Sequence, residues 1–449
     1  MPGKKSCALP NKAPATNTLN HHGWRDRIAN SDCLLAILEC VIQKKNPDYM
    51  SDTAAPPLKG IKVIELGTLI AGPFCTRILG EFGAEVIKIE APDGGDQLRE
   101  WRKMYAGTSL WWYVQARNKK SVTVNMRVPE GQEIVRKLCA EADVVVENFR
   151  PGALEKWNLG FDDLARINPR LIMVRLSGYG QTGPYRDRPG FGVIGESMGG
   201  MRYVTGYADR PPVRLGISIG DSIAALYGVI GAMMALHHRN VNGGRGQVVD
   251  VALYEAVFSM MESLVPEFDV LGFMRERAGN ALPGIVPSNT YPTRDGKFVI
   301  VGANNDAIFK RMMTAIGRAD LADDATLATN AGRVPRTAEL DGAIADWTRR
   351  HDLDFVLAAL EAAQVPSGKV FDVADIVKDA HYIARGMLEQ HRLPDGKPVK
   401  LPGIVPKLSA TPGATKWIGP KLGEHTDEIL AALGYDAASR RDFKARSVI

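Results

Sequence analysis

The sequence predicts an α/β protein with a parallel sheet in its first half and a smaller α/β domain further along. The first observation is a strand–helix–strand unit formed by Lys62–Leu66, about Phe74–Phe82, and Glu85–Glu90. Such a unit joins two parallel strands by a right-handed crossover. The second observation is a new strand at Lys297–Gly302, followed by helices from Asp306 onward. It predicts a second domain of about 100 residues.

Further strands and helices alternate between these two regions. The predicted strands are Val122–Met126, Val144–Glu147, Leu171–Leu176 and Gln247–Leu253, and a predicted helix is Glu130–Ala140. The run Ser222–Arg239 is almost wholly apolar until its end, which is typical of a helix buried in a core. Gly279–Asp295 is rich in Gly, Pro and Asn, which predicts a linker or a ligand loop.

Residues 1–57 differ from the rest of the chain in composition. They are rich in Asn, Lys, Pro and Ala, with one short helical segment near Ser31–Lys44. We expect a poorly ordered extension, with Met50 as the start of the protein in the cell. A targeting role for the extension is the less favoured alternative.

The composition excludes several classes of function. The net charge is +5, and residues 1–50 hold seven Lys and Arg against four Asp and Glu, so the body of the chain is near neutral. Nucleic-acid binding therefore has little electrostatic support. The five cysteines show no metal-finger spacing, which predicts a cytoplasmic protein without a metal site. No run approaches the ~20 apolar residues of a membrane span, so no membrane partner is predicted.

The first glycine turn invites a dinucleotide-binding interpretation. A dinucleotide fingerprint needs Gly-x-Gly-x-x-Gly, whereas Gly67–Pro73 has four residues between its glycines. Pro73 also removes one N–H that a phosphate would use. A structural turn of the sheet is therefore the favoured interpretation.

Three polar loops border predicted strands. Arg117–Ser121 precedes a strand, whereas Glu147–Gly152 and Gly178–Pro184 each follow one. Ligands of open α/β sheets bind at the carboxyl ends of strands, so the second and third loops are well placed. For these three loops, a solvated turn and a ligand-binding loop are equally favoured interpretations.

Asp221 precedes the long apolar helix in the segment Gly216–Ser222. On pattern alone, the favoured interpretation is an N-cap whose carboxylate accepts a backbone N–H. The alternative is a partly desolvated nucleophile beside glycine loops. No Ser/His/Asp arrangement, His-Glu-x-x-His motif or pair of carboxylates competes with it.

From about Leu58 to the C-terminus, the chain resembles the class III CoA-transferases, the family that includes formyl-CoA transferase and the carnitine CoA-transferases. The motifs that carry the resemblance are Gly60–Leu66, Ala71–Pro73, Gly83–Glu90, Arg117–Ser121, Glu147–Gly152, Gly178–Pro184, Gly243–Gln247 and Leu422–Thr426. The resemblance implies an interlocked homodimer with a large Rossmann-like domain and a small domain. The domains then predicted are an extension at 1–57, a large CoA-binding domain at 58–255, a linker at 256–290, a small domain at 291–380, and a return to the large domain at 381–449.

The resemblance also implies the site residues. The nucleophile is Asp221, which carries CoA as an aspartyl thioester. The residues implied for CoA binding are Val124, Asn125, Met126, Arg127, Asn148, Phe149, Arg150 and Lys156. Arg127, Arg150 and Lys156 would hold its phosphates. The CoA thioester is a substrate, and no tightly bound cofactor is expected.

Departures from relatives refine the expected substrate. Formyl-CoA transferase has other residues where this chain has Ile70-Ala71, Ala91 and Phe191-Gly192, which argues against formyl-CoA and oxalate. Gly284–Thr293 is similar to the branch that uses succinyl-CoA and dicarboxylic acids. The first alternative is an α-methylacyl-CoA racemase, which carries His-Asp where this chain has Phe191-Gly192. A non-catalytic CoA-binding protein and a dinucleotide oxidoreductase are the remaining alternatives.

Overall fold

The computed structural model describes residues 55–449. The predicted helix near Ser31–Lys44 and the extension up to residue 54 lie outside the described residues. The strands are β1 Lys62–Glu65, β2 Glu85–Glu90, β3 Met104–Tyr105, β4 Thr108–Ser109, β5 Lys119–Thr123, β6 Val144–Glu147, β7 Ile172–Ser177, β8 Val248–Ala252, β9 Ser288–Pro292, β10 Phe298–Gly302, β11 Ser367–Lys369, β12 Leu388–Arg392 and β13 Pro398–Pro402.

Seventeen α-helices alternate with these strands along residues 55–449. They are α1 Ala71–Glu81, α2 Leu110–Gln115, α3 Pro129–Ala140, α4 Phe161–Ile167, α5 Gly192–Met198, α6 Ile219–His237, α7 Leu253–Phe258, α8 Leu264–Leu271, α9 Asp306–Ala315, α10 Ala319–Ala322, α11 Asn330–Arg333, α12 Thr337–Thr348, α13 Leu353–Ala362, α14 Val373–Ile376, α15 Ala380–Ala384, α16 Thr426–Ala432 and α17 Ala437–Ala445.

A six-stranded sheet in the order β5-β2-β1-β6-β7-β8 forms the centre of the fold, and all of its strand pairs are parallel. The predicted α/β class and parallel sheet are thereby confirmed. One strand differs in position: β5 begins at Lys119, before the predicted start at Val122. The sequence pattern missed this start because Lys119 is charged, yet its side chain is buried against an acidic partner inside the fold.

Two cores lie on opposite faces of this sheet. Val63 belongs to one core and Ile64 to the other, as expected because successive side chains of a strand point to opposite faces. The first core includes residues of α1 and α6, and the second includes residues of α3 and α4. Ile429 and Leu430 of α16 join the second core, so the chain returns to the large sheet near its C-terminus.

Helix α6 is a core helix by its packing. With its continuation to Gly243, it is the one helix among residues 55–449 that is long and apolar enough to cross a membrane, so the expectation that no run approaches such a length is wrong. It packs instead on β7, β8 and α1, with Ala224 and Ala225 fully buried. A Cβ on Gly231 would lie 2.4 Å from Val249, so this glycine permits close packing on the sheet.

A second sheet belongs to the C-terminal half of the chain. It is antiparallel, in the order β11-β10-β9, and it shares a separate core with α9, α12 and α13. The segment 256–290, predicted as a linker, contains α8 and the first residues of β9. The predicted domain limits stay a prediction.

A buried ionic network joins the first three strands of the main sheet. The Nζ atom of Lys88 lies 2.6 Å from Oε1 of Glu65 and 2.7 Å from Oδ2 of Asp96. The Nζ atom of Lys119 lies 2.8 Å from Oε2 of Glu65. Burial raises the pKa of Glu65, but the two lysines outweigh that effect and hold the pKa below its ordinary value.

We predict that Lys88→Met destabilises the protein by about 3–5 kcal/mol, because it leaves the carboxylate of Asp96 buried without its cation. The measurement is urea unfolding at one fixed protein concentration. The control is Lys62→Met, which breaks an ion pair with Glu141 at 2.8 Å that is largely exposed to solvent. That change should cost less than about 1 kcal/mol. Equal losses for the two variants would refute a structural role for the network.

Candidate active site

A large cavity lies at the carboxyl edge of the main sheet. Its volume is about 1380 Å³, and residues that follow β1, β2, β5, β6 and β7 line it. Lining residues from these loops include Thr68, Leu69, Ala91, Asp93, Asn125, Met126, Asn148, Phe149, Arg150 and Gly178. This edge is where ligands bind in open α/β sheets. The cavity is therefore the candidate active site.

Asp221 lines the same cavity from helix α6. The helix begins at Ile219, so Asp221 lies in its first turn, and the N-cap residue is Ser218. The N-cap interpretation of Asp221 is therefore wrong. Among the described residues, the one hydrogen bond that acts on the pKa of this carboxylate comes from the backbone N–H of Asp221 itself.

Gly192 determines the position of the Asp221 carboxylate. A Cβ on Gly192 would lie 2.1 Å from Oδ2 and 2.7 Å from Cγ of Asp221, so the carboxylate fills the space that a side chain would need. The backbones of α5 and α6 are close at the same point, since a Cβ on Gly220 would lie 2.8 Å from the carbonyl oxygen of Gly192. Two glycines thus allow the carboxylate to lie against the first turn of α5.

The surroundings make Asp221 a stronger base than an ordinary aspartate. Burial raises the pKa of Asp221 to about 6, and the negative charge of Glu196 adds to the rise. The charge of Arg214 and the backbone N–H of Asp221 itself oppose it. A carboxylate with a pKa of about 6 remains ionised at neutral pH and is more nucleophilic than a fully solvated one.

Glu196 is a buried carboxylate one helical turn after Gly192. Its side chain is 1 % exposed, and a Cβ on Gly220 would lie 3.2 Å from its Cγ atom. Oε2 accepts a long hydrogen bond of 3.4 Å from Nε of Arg202, whereas Oε1 has no partner among the described residues. A second carboxylate therefore lies behind Asp221, on the side of α5 that faces α6.

Most residues predicted to bind CoA line this cavity together. They are Val124, Asn125, Met126, Arg127, Asn148, Phe149 and Arg150. Lys156 lies on an exposed turn and is not among the lining residues, so the structure does not bring it to the cavity. Their contacts with CoA stay predictions.

The side chain of Asn148 already has protein partners. Its Oδ1 accepts from the backbone N–H of Thr68 at 2.8 Å, and its Nδ2 donates to the carbonyl oxygen of Thr68 at 2.9 Å. A Cβ on Gly67 would lie 2.8 Å from Asn148 Oδ1, so this glycine permits the contact. Asn148 therefore holds the loop after β1 in place as a wall of the cavity.

The segment Arg117–Ser121 has a structural part in the fold. The Nε atom of Arg117 lies 2.6 Å from Oε1 of Glu81, and Asn118 donates to the carbonyl oxygen of Ala414 at 2.7 Å. None of the five residues lines the cavity. Of the three polar loops, this one is thus a buried structural segment rather than a ligand loop.

Four arginines of the cavity were missed by sequence reasoning. They are Arg102, Arg186, Arg188 and Arg214. For Arg186, Arg188 and Arg214, the signal in the sequence was their density on either side of Gly192, which by itself is typical of any solvated surface. Arg102 had no such signal. No His or Lys is found among the described lining residues. Within residues 55–449, no group of three or more His, Cys, Asp and Glu could hold a metal ion.

The fold and the cavity define an α/β protein with a large ligand site at the carboxyl edge of its sheet. Residues 58–426 match CoA-transferase family III. The chain is 50% identical over 386 residues to succinyl-CoA–D-citramalate CoA-transferase of Chloroflexus aurantiacus, which covers 86% of this chain and 96% of the relative.

Two further comparisons support the same family. The β subunit of succinyl-CoA–L-malate CoA-transferase from Chloroflexus aurantiacus is 43% identical, over 88% of this chain and 99% of its own. The crystal structure of a CaiB/BaiF family protein from Brucella suis has a TM-score of 0.75 and 36% identity, and it covers 85% of this chain and 100% of its own. The chain belongs to CoA-transferase family III and is a CoA-transferase, as its motifs predicted.

We predict that Gly192→Ala lowers kcat/KM for CoA transfer by about 100-fold or more, because the new methyl group displaces the Asp221 carboxylate by an ångström or more. The control is Gly216→Ala, since a Cβ on Gly216 meets nothing within 4 Å. Steady-state rates and thermal unfolding are measured for both variants. Full activity of Gly192→Ala would show that the contact between Gly192 and Asp221 is irrelevant to catalysis.

Proposed function

We propose that this CoA-transferase moves CoA from succinyl-CoA to a dicarboxylic acid through an aspartyl-CoA thioester on Asp221. The observation that carries the proposal is the Asp221 carboxylate, half-buried in the cavity and in contact with the bare Cα of Gly192. It is an anionic oxygen with a pKa raised to about 6 by burial, and it faces the space where a thioester would lie.

In the first half-reaction, an oxygen of Asp221 attacks the thioester carbonyl carbon of succinyl-CoA. The C–S bond breaks, and the CoA thiolate leaves a mixed anhydride of succinate and Asp221. The thiolate then attacks the aspartyl carbonyl carbon, the C–O bond breaks, and succinate departs. The product is aspartyl-CoA, and no proton has moved.

In the second half-reaction, a carboxylate oxygen of the acceptor attacks the aspartyl-CoA carbonyl carbon and expels the thiolate. The thiolate then attacks the acceptor carbonyl of the new anhydride, which frees the carboxylate of Asp221. Every leaving group is a carboxylate or a thiolate, so no general acid is needed. A cavity whose described lining holds arginines but no His or Lys suits this chemistry.

CoA would lie along the loops that follow β5 and β6. Arg127 and Arg150 are exposed lining residues there, and a guanidinium binds phosphate oxygens through two parallel N–H bonds. Val124 and Met126 line the same stretch and offer apolar contacts. Lys156, which is not among the lining residues, is retained as a proposed CoA contact outside the cavity wall.

The substrate class rests on the relatives and on the cavity. The two Chloroflexus relatives are named as transferases between succinyl-CoA and D-citramalate or L-malate. Ile70, Ala71, Ala91, Phe191 and Gly192, where this chain departs from formyl-CoA transferase, all line the cavity. Differences at the cavity wall support an acyl group other than formyl.

The racemase alternative needs a base where Phe191-Gly192 stands. Gly192 has no side chain, and the Asp221 carboxylate occupies the space that one would need. Proton abstraction beside a thioester therefore has no residue to perform it at this position. A non-catalytic CoA-binding protein would not need a carboxylate held in the cavity by two glycines.

We predict that Asp221→Asn lowers CoA transfer by at least about 1000-fold, because the amide is not a nucleophile. In the wild-type protein, incubation with succinyl-CoA and acid quenching should leave a peptide containing Asp221 with the added mass of CoA less one water. Asp209→Asn is the control, since Asp209 is exposed and does not line the cavity. An adduct on another residue, or transfer that persists in Asp221→Asn, would overturn the assignment.

The pH dependence follows from the raised pKa of Asp221. The ionised form is the nucleophile, so kcat/KM should be constant above about pH 7 and fall tenfold per pH unit below about pH 6. Glu196→Gln removes a negative charge that raises the pKa of Asp221, so the acid limb should move to lower pH. A limb that stays in place or moves to higher pH would show that Glu196 does not act on Asp221.

We also propose an interlocked homodimer in the cytoplasm. Leu226, Ile230 and Met234 form an exposed stripe on α6, and Met234 is 67% exposed. Phe268 and Leu271 of α8 are also exposed apolar residues. Apolar surface of this kind commonly marks an interface between copies. Light scattering after gel filtration should give twice the chain mass, and a monomer at all concentrations would contradict the proposal.

A further inference from the structure

The arginines of the cavity fall into groups by the segments that carry them. Arg127 and Arg150 follow β5 and β6, on the side proposed for CoA. Arg186, Arg188 and Arg214 lie in the segments between β7 and α6, which also carry Gly192. The second group therefore lies on segments that flank Gly192 or lead into α6, the helix that carries Asp221.

Within the second group, Arg214 differs from the other two in its contacts. Nε of Arg186 lies 3.4 Å from the carboxylate of Asp187, and the guanidinium of Arg188 stacks on the ring of Tyr185 at 3.7 Å. Arg214 forms no ion pair, hydrogen bond or cation–π contact with any residue among 55–449. Its guanidinium is thus a cation of the cavity wall whose donors are available to a ligand.

Arg214 also lies within electrostatic reach of the nucleophile. Its charge acts on the Asp221 carboxylate against the effects of burial and of Glu196. The pair is not in contact, because no bond or ion pair joins them. Arg214 and Asp221 line the same cavity, so an acyl group attached through its carbonyl to Asp221 lies in a cavity that this guanidinium also borders.

We infer that Arg214 binds the free carboxylate of the dicarboxylic substrates and so selects diacids over monocarboxylic acids. The inference rests on the proposed function. In succinyl-CoA, the reacting carbonyl and the free carboxylate are separated by two methylene groups, so the carboxylate enters the cavity with the acyl group. Arg214 is an exposed cation of the cavity wall, and the fork of its guanidinium matches both oxygens of a carboxylate.

The same residue serves both halves of the reaction. The donor leaves as a dicarboxylate, and the acceptor that replaces it presents a second carboxylate to the same guanidinium. One binding site for the free carboxylate then accounts for a donor and an acceptor of the same chemical class. The hydroxyl or methyl groups that distinguish one diacid from another need not contact Arg214.

The experiment compares succinyl-CoA with butyryl-CoA, which has the same chain length but no free carboxylate. Both donors are assayed at about pH 8, well above the pKa of Asp221, which is about 6. Arg214→Gln should lower kcat/KM for succinyl-CoA about 10- to 100-fold, the worth of one charge-assisted bidentate contact. To keep the acceptor from masking the result, the first half-reaction is followed alone, as formation of the CoA adduct of the protein.

In that half-reaction, Arg214→Gln should leave the rate with butyryl-CoA within about threefold of the wild-type rate, since no free carboxylate is present. Arg214→Lys should retain part of the preference for succinyl-CoA, because it keeps the charge but not the fork. Arg210→Gln is the matched control, an exposed arginine of the same segment that does not line the cavity. It should change neither rate.

An unchanged ratio of the two rates in Arg214→Gln overturns the inference. An equal fall with both donors also overturns it, because Arg214 would then act through Asp221 rather than on the free carboxylate. Failure of the proposed function is distinct: the wild-type protein would form no CoA adduct on Asp221 with either donor.

Discussion

The close approach of α5 and α6 at Gly192 and Gly220 is the constraint on which the site depends. With a side chain at either position, the two helices could not lie at their present distance, since the added Cβ atoms would meet Asp221 or the backbone of Gly192. The carboxylate of Asp221 would then have to leave its present position against α5. Its burial, its raised pKa and its presence in the cavity all follow from the absence of two side chains.

The loops after β1 and β2, which form another part of the cavity wall, are held in place by buried ion pairs. Glu65, Lys88 and Asp96 lie on β1, on β2 and in the loop after β2, and their ion pairs hold that loop against the end of the sheet. Asp96 also accepts from the backbone N–H of Leu69, a residue in the left-handed region with φ of 64°. Such a conformation persists only where surrounding contacts require it. The loops after β1 and β2 are therefore held in shape before any ligand binds.

The charges around Asp221 oppose one another. Burial and Glu196 favour its protonated form, whereas Arg214 favours the ionised form. A carboxylate made only more acidic would be a weak nucleophile, and one shifted far upward would be protonated at neutral pH. The balance near a pKa of about 6 avoids both outcomes. If Arg214 also binds the free carboxylate of a substrate, binding cancels part of its charge and strengthens Asp221 as a base when the acyl group arrives.

Local patterns in the sequence were sufficient for much of the fold. The bounds of β2 and β6 match their predictions, because short β-branched runs between turns are signals carried by neighbouring residues. Helix α1 begins before its predicted start, since Pro73 is tolerated in a first turn. The motifs also identified the family and directed attention to Asp221, although helical pattern alone favoured an N-cap.

The sequence by itself determined the α/β class, most elements of the main sheet and the family, and it pointed to Asp221 as the candidate nucleophile. Only the tertiary structure decided that Asp221 lies inside α6 against Gly192 and that Lys119 is a strand residue paired with Glu65. It also decided that Asn148 holds the loop at Thr68 and that Arg214 lines the same cavity as Asp221. The physical reason is the same in each case. Burial, charge pairing and close backbone contact join residues far apart in the chain, and no local pattern contains those distances.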